Sequence, residues 1–200
     1  MRHLGLRRTV AVASLLAVAA VALPNTAGAQ QGEFEEKRRR CFQPRHRNHS
    51  VRIHCFQLYK LQGDNNENRD YWALHHYGTA RSKDGYALTM FRLRAFPHPD
   101  GPRIRQWSDW APRQDMERGR CDSVSIGVSA FGASMSWSHQ LCEEWDIKFF
   151  PDRPGRFHNS WKTGPTPVED SEREVAYAMV VAVKQGQQPR WSFRGFTKTQ

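Results

Sequence analysis

The chain is 200 residues long and carries 30 Lys and Arg against 20 Asp and Glu, a formal charge of +10. Such an excess draws a protein toward acidic partners or surfaces and is silent about fold. Beyond the N-terminal region there is no long apolar stretch, so no membrane insertion of the mature chain is expected.

The N-terminus has the order of a secretory signal. Arg2, Arg7 and Arg8 precede an apolar run, Val10 to Leu23, and Ala27-Gly28-Ala29 supplies the small residues a signal peptidase reads. Cleavage after Ala29 divides the chain into a signal peptide over 1–29, an arm over 30–50 and a β-sandwich domain over 51–200, secreted to the extracellular space. The three signal arginines leave a mature balance of 27 Lys and Arg against 20 acids. Cys41, Cys55, Cys121 and Cys142 all fall in the mature chain. An even count in an exported protein points to two disulfides.

Residues 30–50 are polar and without period, and are read as an extended basic arm bearing Lys37, Arg38, Arg39, Arg40, Arg45 and Arg47. Val51 to Leu61 is rich in strand formers, and Asp70 to Ala80 and Tyr86 to Phe96 follow with Asp84-Gly85 between them, the strongest short hairpin signal. Ile104 to Trp110 reads as a short strand. Cys121–Ala130 and Ala133–Leu141 alternate small polar with larger apolar residues around Phe131-Gly132. In that register Ala130 faces Ala133, and Cys121 stands opposite Cys142 at a disulfide-compatible separation. The remaining pair is Cys41 with Cys55. Pro151 to Asp170 reads as a surface excursion. Val175 to Val183 is almost continuously apolar, as in a strand buried on both faces, and Arg190 to Thr197 is the last strand. About eight or nine strands make an all-β antiparallel sandwich or barrel.

No Gly-x-Ser-x-Gly elbow, paired-histidine zinc helix or Gly-rich phosphate loop occurs, and no cofactor, metal or catalytic residue is assigned. His46, His49 and His54 are expected to be solvated on the arm. Asp64-x-Asn66-x-Asn68-x-Asp70 has alternating oxygen donors, but Arg69 stands where a calcium loop needs Gly, so a polar turn is expected. His75 and His76 point to opposite faces of a strand, one expected to pack and the other to meet water. Glu143, Glu144 and Asp146 read as a solvated acidic rim.

Two features favour binding. The Lys37–Arg40 cluster on an extended segment is suited to an acidic groove or a sheet edge. Trp107, Trp110 and Trp161 fall in loop-like regions, where exposed aromatics anchor partners or stack on sugars. The expected partner is an acidic, larger secreted protein, with a lectin or glycan as a further possibility and no nucleic acid. The alternatives are a secreted carbohydrate-binding domain using exposed Trp and a secreted hydrolase with an unrecognised site.

The signal, basic arm, four-cysteine body and the runs Tyr71-Trp-Ala-Leu-His-His-Tyr-Gly-Thr79 and Gly127-Val-Ser-Ala-Phe-Gly-Ala133 resemble small secreted actinobacterial β proteins. Among these the chain is similar to the linking subunit of umbrella toxin particles. That resemblance implies a subunit joining a lectin to a large spoked toxin component, with Lys37, Arg38, Arg39 and Arg40 gripping the latter.

Overall fold

A computed structural model of the chain describes residues 32–43, 50–115, 121–142, 144–149, 159–163 and 172–200. The expected signal segment, Arg45, Arg47, His46, His49 and Glu143 lie outside these residues. Eleven strands and no helix occur among the described residues.

β1 (Glu33–Phe42), β2 (Ser50–Gln62), β3 (Arg69–Ser82), β10 (Glu172–Lys184) and β5 (Gln106–Ala111) form a five-stranded antiparallel sheet in that order. β11 (Trp191–Thr199), β4 (Leu88–Pro97), β9 (Asn159–Thr163) and β8 (Glu144–Phe149) form a four-stranded sheet. β6 (Cys121–Ala130) and β7 (Ala133–Cys142) form a two-stranded ribbon. The five-stranded sheet is the middle layer of this sandwich. The four-stranded sheet packs on one face and the ribbon on the other.

β10 explains the layering. Every side chain from Val175 to Val183 is fully buried. Val175, Tyr177, Met179, Val181 and Val183 enter the core shared with the four-stranded sheet, whereas Ala176, Ala178, Val180 and Ala182 enter the core beneath the ribbon. Period-two alternation therefore buries an unbroken apolar run on two faces. The alanines on the ribbon side leave room for Tyr59, Tyr71 and Ile126.

The ribbon forms in the expected register, with Ala130 opposite Ala133 and Cys121 opposite Cys142. Phe131 (φ 50°) and Gly132 (φ 78°) are both left-handed, as a tight hairpin turn requires. Both disulfides, Cys41–Cys55 and Cys121–Cys142, join directly facing residues. They are consistent with an oxidising or extracellular environment.

Four expectations are corrected. Asp84 (φ 61°) and Gly85 (φ 75°) make the predicted turn, closed by Tyr86 N–H donating to Lys83 O at 3.2 Å, but no hairpin follows. Both edges of β3 are occupied by β2 and β10, so β4 crosses to the other sheet. Residues 33–42 are not an irregular arm but strand β1, paired along its length with β2. The segment read as a surface excursion contains β9, and Trp161 on it is buried at 1 % exposure against Tyr177. His54, expected on the arm and in solvent, is buried on β2.

The Asp64–Asp70 segment is a polar turn whose side chains face its own backbone. Asp64 Oδ1 accepts from Asn66 N–H at 3.0 Å, and Asn66 Oδ1 accepts from Asn68 and Arg69 N–H. Asp70 is held by Lys60 at 3.1 Å and by the Gly186 N–H at 2.8 Å.

Gly78 lets β2 and β3 approach. A Cβ there would lie 2.6 Å from Ile53 O and 2.7 Å from His54 Cβ. Gly78→Ala is therefore predicted to cost about 1–3 kcal/mol or more. A urea-unfolding midpoint equal to the wild type's would show that the strands can part here at no cost.

Candidate functional site

β1 is a highly charged edge strand, and a bulge between Glu36 and Arg38 decides where its charges point. Before the bulge, Phe34 faces the ribbon-side core. The extra residue, Lys37, switches the phase. After it, Arg38, Arg40 and Phe42 share the opposite face, with Arg38 over the Phe56 ring (5.9 Å) and Arg40 over the Phe42 ring (5.1 Å). The bulged Lys37 and the ribbon-side Arg39 are neutralised locally, Lys37 Nζ by Glu35 at 2.5 Å and Arg39 Nε by Glu36 at 3.5 Å. Among the described residues Arg38 and Arg40 have no carboxylate partner, and both are exposed. The predicted cluster is thus split into two satisfied and two available cations.

The available pair borders a groove on the side of the sandwich where β1 and β11 are both terminal strands. One part, about 380 Å³, runs from Arg38 and Arg40 to Arg190 and Trp191. The other, about 730 Å³, continues past Arg52 and His54 to Thr197. Phe42 and Phe193 line both parts. The floor is aromatic, with Phe56 stacked on Phe193 at 4.2 Å and Phe42 on Phe56 at 6.0 Å. One end is tied by Ser50 Oγ to Thr197 Oγ1 at 2.8 Å, and the other by His98 N–H donating to Arg190 O at 2.8 Å. No carboxylate is among the described lining residues of either part. An apolar floor under unopposed guanidinium groups suits an anionic ligand with an apolar body.

A buried hydrogen-bond chain backs the groove. Tyr177 is fully buried, which raises its phenol well above the ordinary range, so the hydroxyl keeps its proton. It donates to His76 Nδ1 at 2.8 Å, and His76 Nε2–H then donates to His54 Nδ1 at 3.0 Å. That tautomer leaves His54 Nε2–H as a donor on the groove side, beside Gly195, where a Cβ would stand 3.5 Å from it. Burial, reinforced by the Arg52 charge, pushes His54 down to about 4. Burial also holds His76 well below its ordinary value, with the His54 and His75 charges adding to it.

A second chain occupies the ribbon face. With its amide oriented to satisfy both ends, Gln57 donates to His75 Nδ1 at 2.8 Å and accepts from Arg39 Nε and Tyr59 OH. His75 Nε2–H donates to His139 Nε2 at 2.8 Å, and His139 Nδ1–H to Glu174 Oε1 at 2.6 Å. Burial first, then the His139 and Arg39 charges, push His75 down to about 2. His75 and His76 do face opposite ways, as expected, but both are buried and neither meets water. This chain is enclosed between the sheet and the ribbon, with Trp137 stacked on His75 at 4.2 Å.

Of the tryptophans singled out as exposed, Trp161 is core, while Trp107 and Trp110 lie half-buried on β5 against the same core. Arg190, Trp191, Phe193 and His54 were not assigned to a site by sequence. Their alternation on the last strand was legible, but only the packing of β11 over β2 brings them to Arg38 and Arg40.

The buried imidazoles are neutral when folded and titrate near 6.5 once exposed. Below about pH 6.5 the unfolded chain thus binds more protons, so stability is full above that value and is lost as pH falls toward about 4, where His54 protonates in the fold. The melting temperature is predicted to decline steadily over that window, and His54→Gln to make the decline shallower. A melting temperature independent of pH across it would contradict neutral buried histidines. No family model matches this chain and no curated protein matches it in sequence, so its own chemistry alone bears on what the groove does.

Proposed function

We propose that this protein is a secreted, non-catalytic interaction module that captures an acidic protein partner in the groove between β1 and β11. The observation that carries this reading is the sorting of the β1 cations. Lys37 and Arg39 are paired with Glu35 and Glu36, whereas Arg38 and Arg40 stand over an aromatic floor with no carboxylate opposite them among the described residues. Long-range attraction from the basic chain steers the encounter, and burial against Phe42, Phe193 and Trp191 holds it.

In its most specific form the module joins components of an extracellular toxin assembly, as the resemblance to umbrella-particle linking subunits implies. The grip then comes from a structured edge strand rather than a mobile arm. Two disulfides support an extracellular setting. The sugar-stacking reading loses Trp161 to the core.

Arg38→Ala/Arg40→Ala should weaken capture of a co-secreted acidic protein about a hundredfold, at about 1.5–3 kcal/mol per charge-assisted contact. Lys37→Ala/Arg39→Ala should change it little. Affinity purification from culture supernatant with each variant, read by mass spectrometry and titrated with salt, makes the comparison. Equal loss in both pairs would reduce the effect to net charge and remove the groove from the account.

A further inference from the structure

The two sheets of the sandwich differ by one strand, and the difference falls at the groove. β2 lies over β11, fixed by the Phe56–Phe193 stack at 4.2 Å and the Ser50–Thr197 hydrogen bond at 2.8 Å. Strands within a sheet are about 4.8 Å apart in both layers. β1, one place beyond β2, therefore overhangs β11, and among the described residues no strand of the smaller sheet lies above it. Its inward side chains past the bulge, Arg38, Arg40 and Phe42, are what such a strand would cover. The outer edge of β11 likewise has no strand paired to it among the described residues, although its inner edge is paired with β4 from Trp191 to Thr199.

We propose that the partner's acidic segment adds to β11 as a fifth strand, roofing β1 and completing the smaller sheet; this rests on the reading of the groove as an acidic-partner site. An added strand lies about 4.8 Å beyond β11, directly over β1, with facing layers about 10 Å apart. Side chains on its inner face recur every second residue, about 6.7 Å apart, the same interval that separates Arg38 from Arg40. Two inward carboxylates in successive inner positions meet those guanidinium groups, and an apolar side chain in the next inner position meets Phe42. The recognised segment is thus extended and alternating, with acid, acid and apolar residues on one face. Main-chain hydrogen bonds to β11 supply sequence-independent affinity, and the inner-face pattern supplies selectivity. Arg38 and Arg40 also guard the overhang, since charge on a terminal strand discourages pairing with unselected chains.

The test uses the full mature chain and the synthetic peptide Thr-Glu-Thr-Glu-Thr-Val-Thr, followed by anisotropy and by amide hydrogen exchange. Controls are the same peptide N-methylated at alternate amides, its Glu→Lys counterpart, and polyglutamate of equal charge. The alternating peptide should bind, lose about tenfold or more on N-methylation and on Arg38→Ala/Arg40→Ala, and slow exchange within Trp191–Thr199 but not in the β6–β7 ribbon. Equal binding of polyglutamate and of the N-methylated peptide, with no protection of β11, would overturn strand addition while leaving acidic capture intact. Failure of every acidic ligand to bind, with the Lys peptide no worse, would overturn both.

Discussion

The rest of the structure depends on one strand being buried on both sides. β10 pairs with β3 along thirteen positions and with β5 on its other edge, and its faces are enclosed by separate layers. Full burial of a Val- or Met-sized side chain is worth about 1.5–3 kcal/mol, and nine consecutive buried residues make this the centre of the hydrophobic stabilisation. The same arrangement uses up both edges of β3. β4 cannot pair beside it and must leave for the second sheet, which is how a hairpin-like turn at Asp84-Gly85 comes to join two layers.

That middle sheet also explains why so many histidines lie inside. His75 and His76 occupy neighbouring positions on β3 with β2 on one side and β10 on the other, so each enters a different core. Burial forces them neutral, and a neutral imidazole needs a donor on one nitrogen and an acceptor on the other. Both requirements are met by chains that cross between strands: Tyr177–His76–His54 on the groove face, and Gln57–His75–His139–Glu174 under the ribbon. The first chain fixes the donor that His54 turns toward the groove, linking the state of the core to the surface it supports.

The groove itself arises from a mismatch in strand number together with a single extra residue. Had β1 run without its bulge, the phase set by Phe34 would have continued, and Arg39 and Cys41 would face the overhang in place of Arg38, Arg40 and Phe42. The Cys41–Cys55 bridge secures the shifted phase just beyond the bulge. A basic, partly aromatic surface thereby sits at the one border where both sheets end in strands without a further neighbour among the described residues.

The sequence by itself determined what depends on local periodicity and on turn geometry. The β6–β7 register, with its closing cysteines, followed from alternation around Phe131-Gly132, and the double burial of β10 followed from its unbroken apolar run. The paired positive φ values at Asp84-Gly85 were legible too, but not which sheet would receive the strand beyond, because that is set by occupancy of edges far away in the chain. β1 was illegible as a strand because an exposed, charged edge needs few apolar residues, and β9 because five residues carry too little period. Trp161 and His54 were misplaced for one reason: burial is decided by what another layer lays over a side chain, not by the residues beside it. Only the tertiary structure decided that Arg38 and Arg40 would share a groove with Phe193 and Trp191, some 150 residues away, since the distance between two edges is a property of packing and has no counterpart in local sequence.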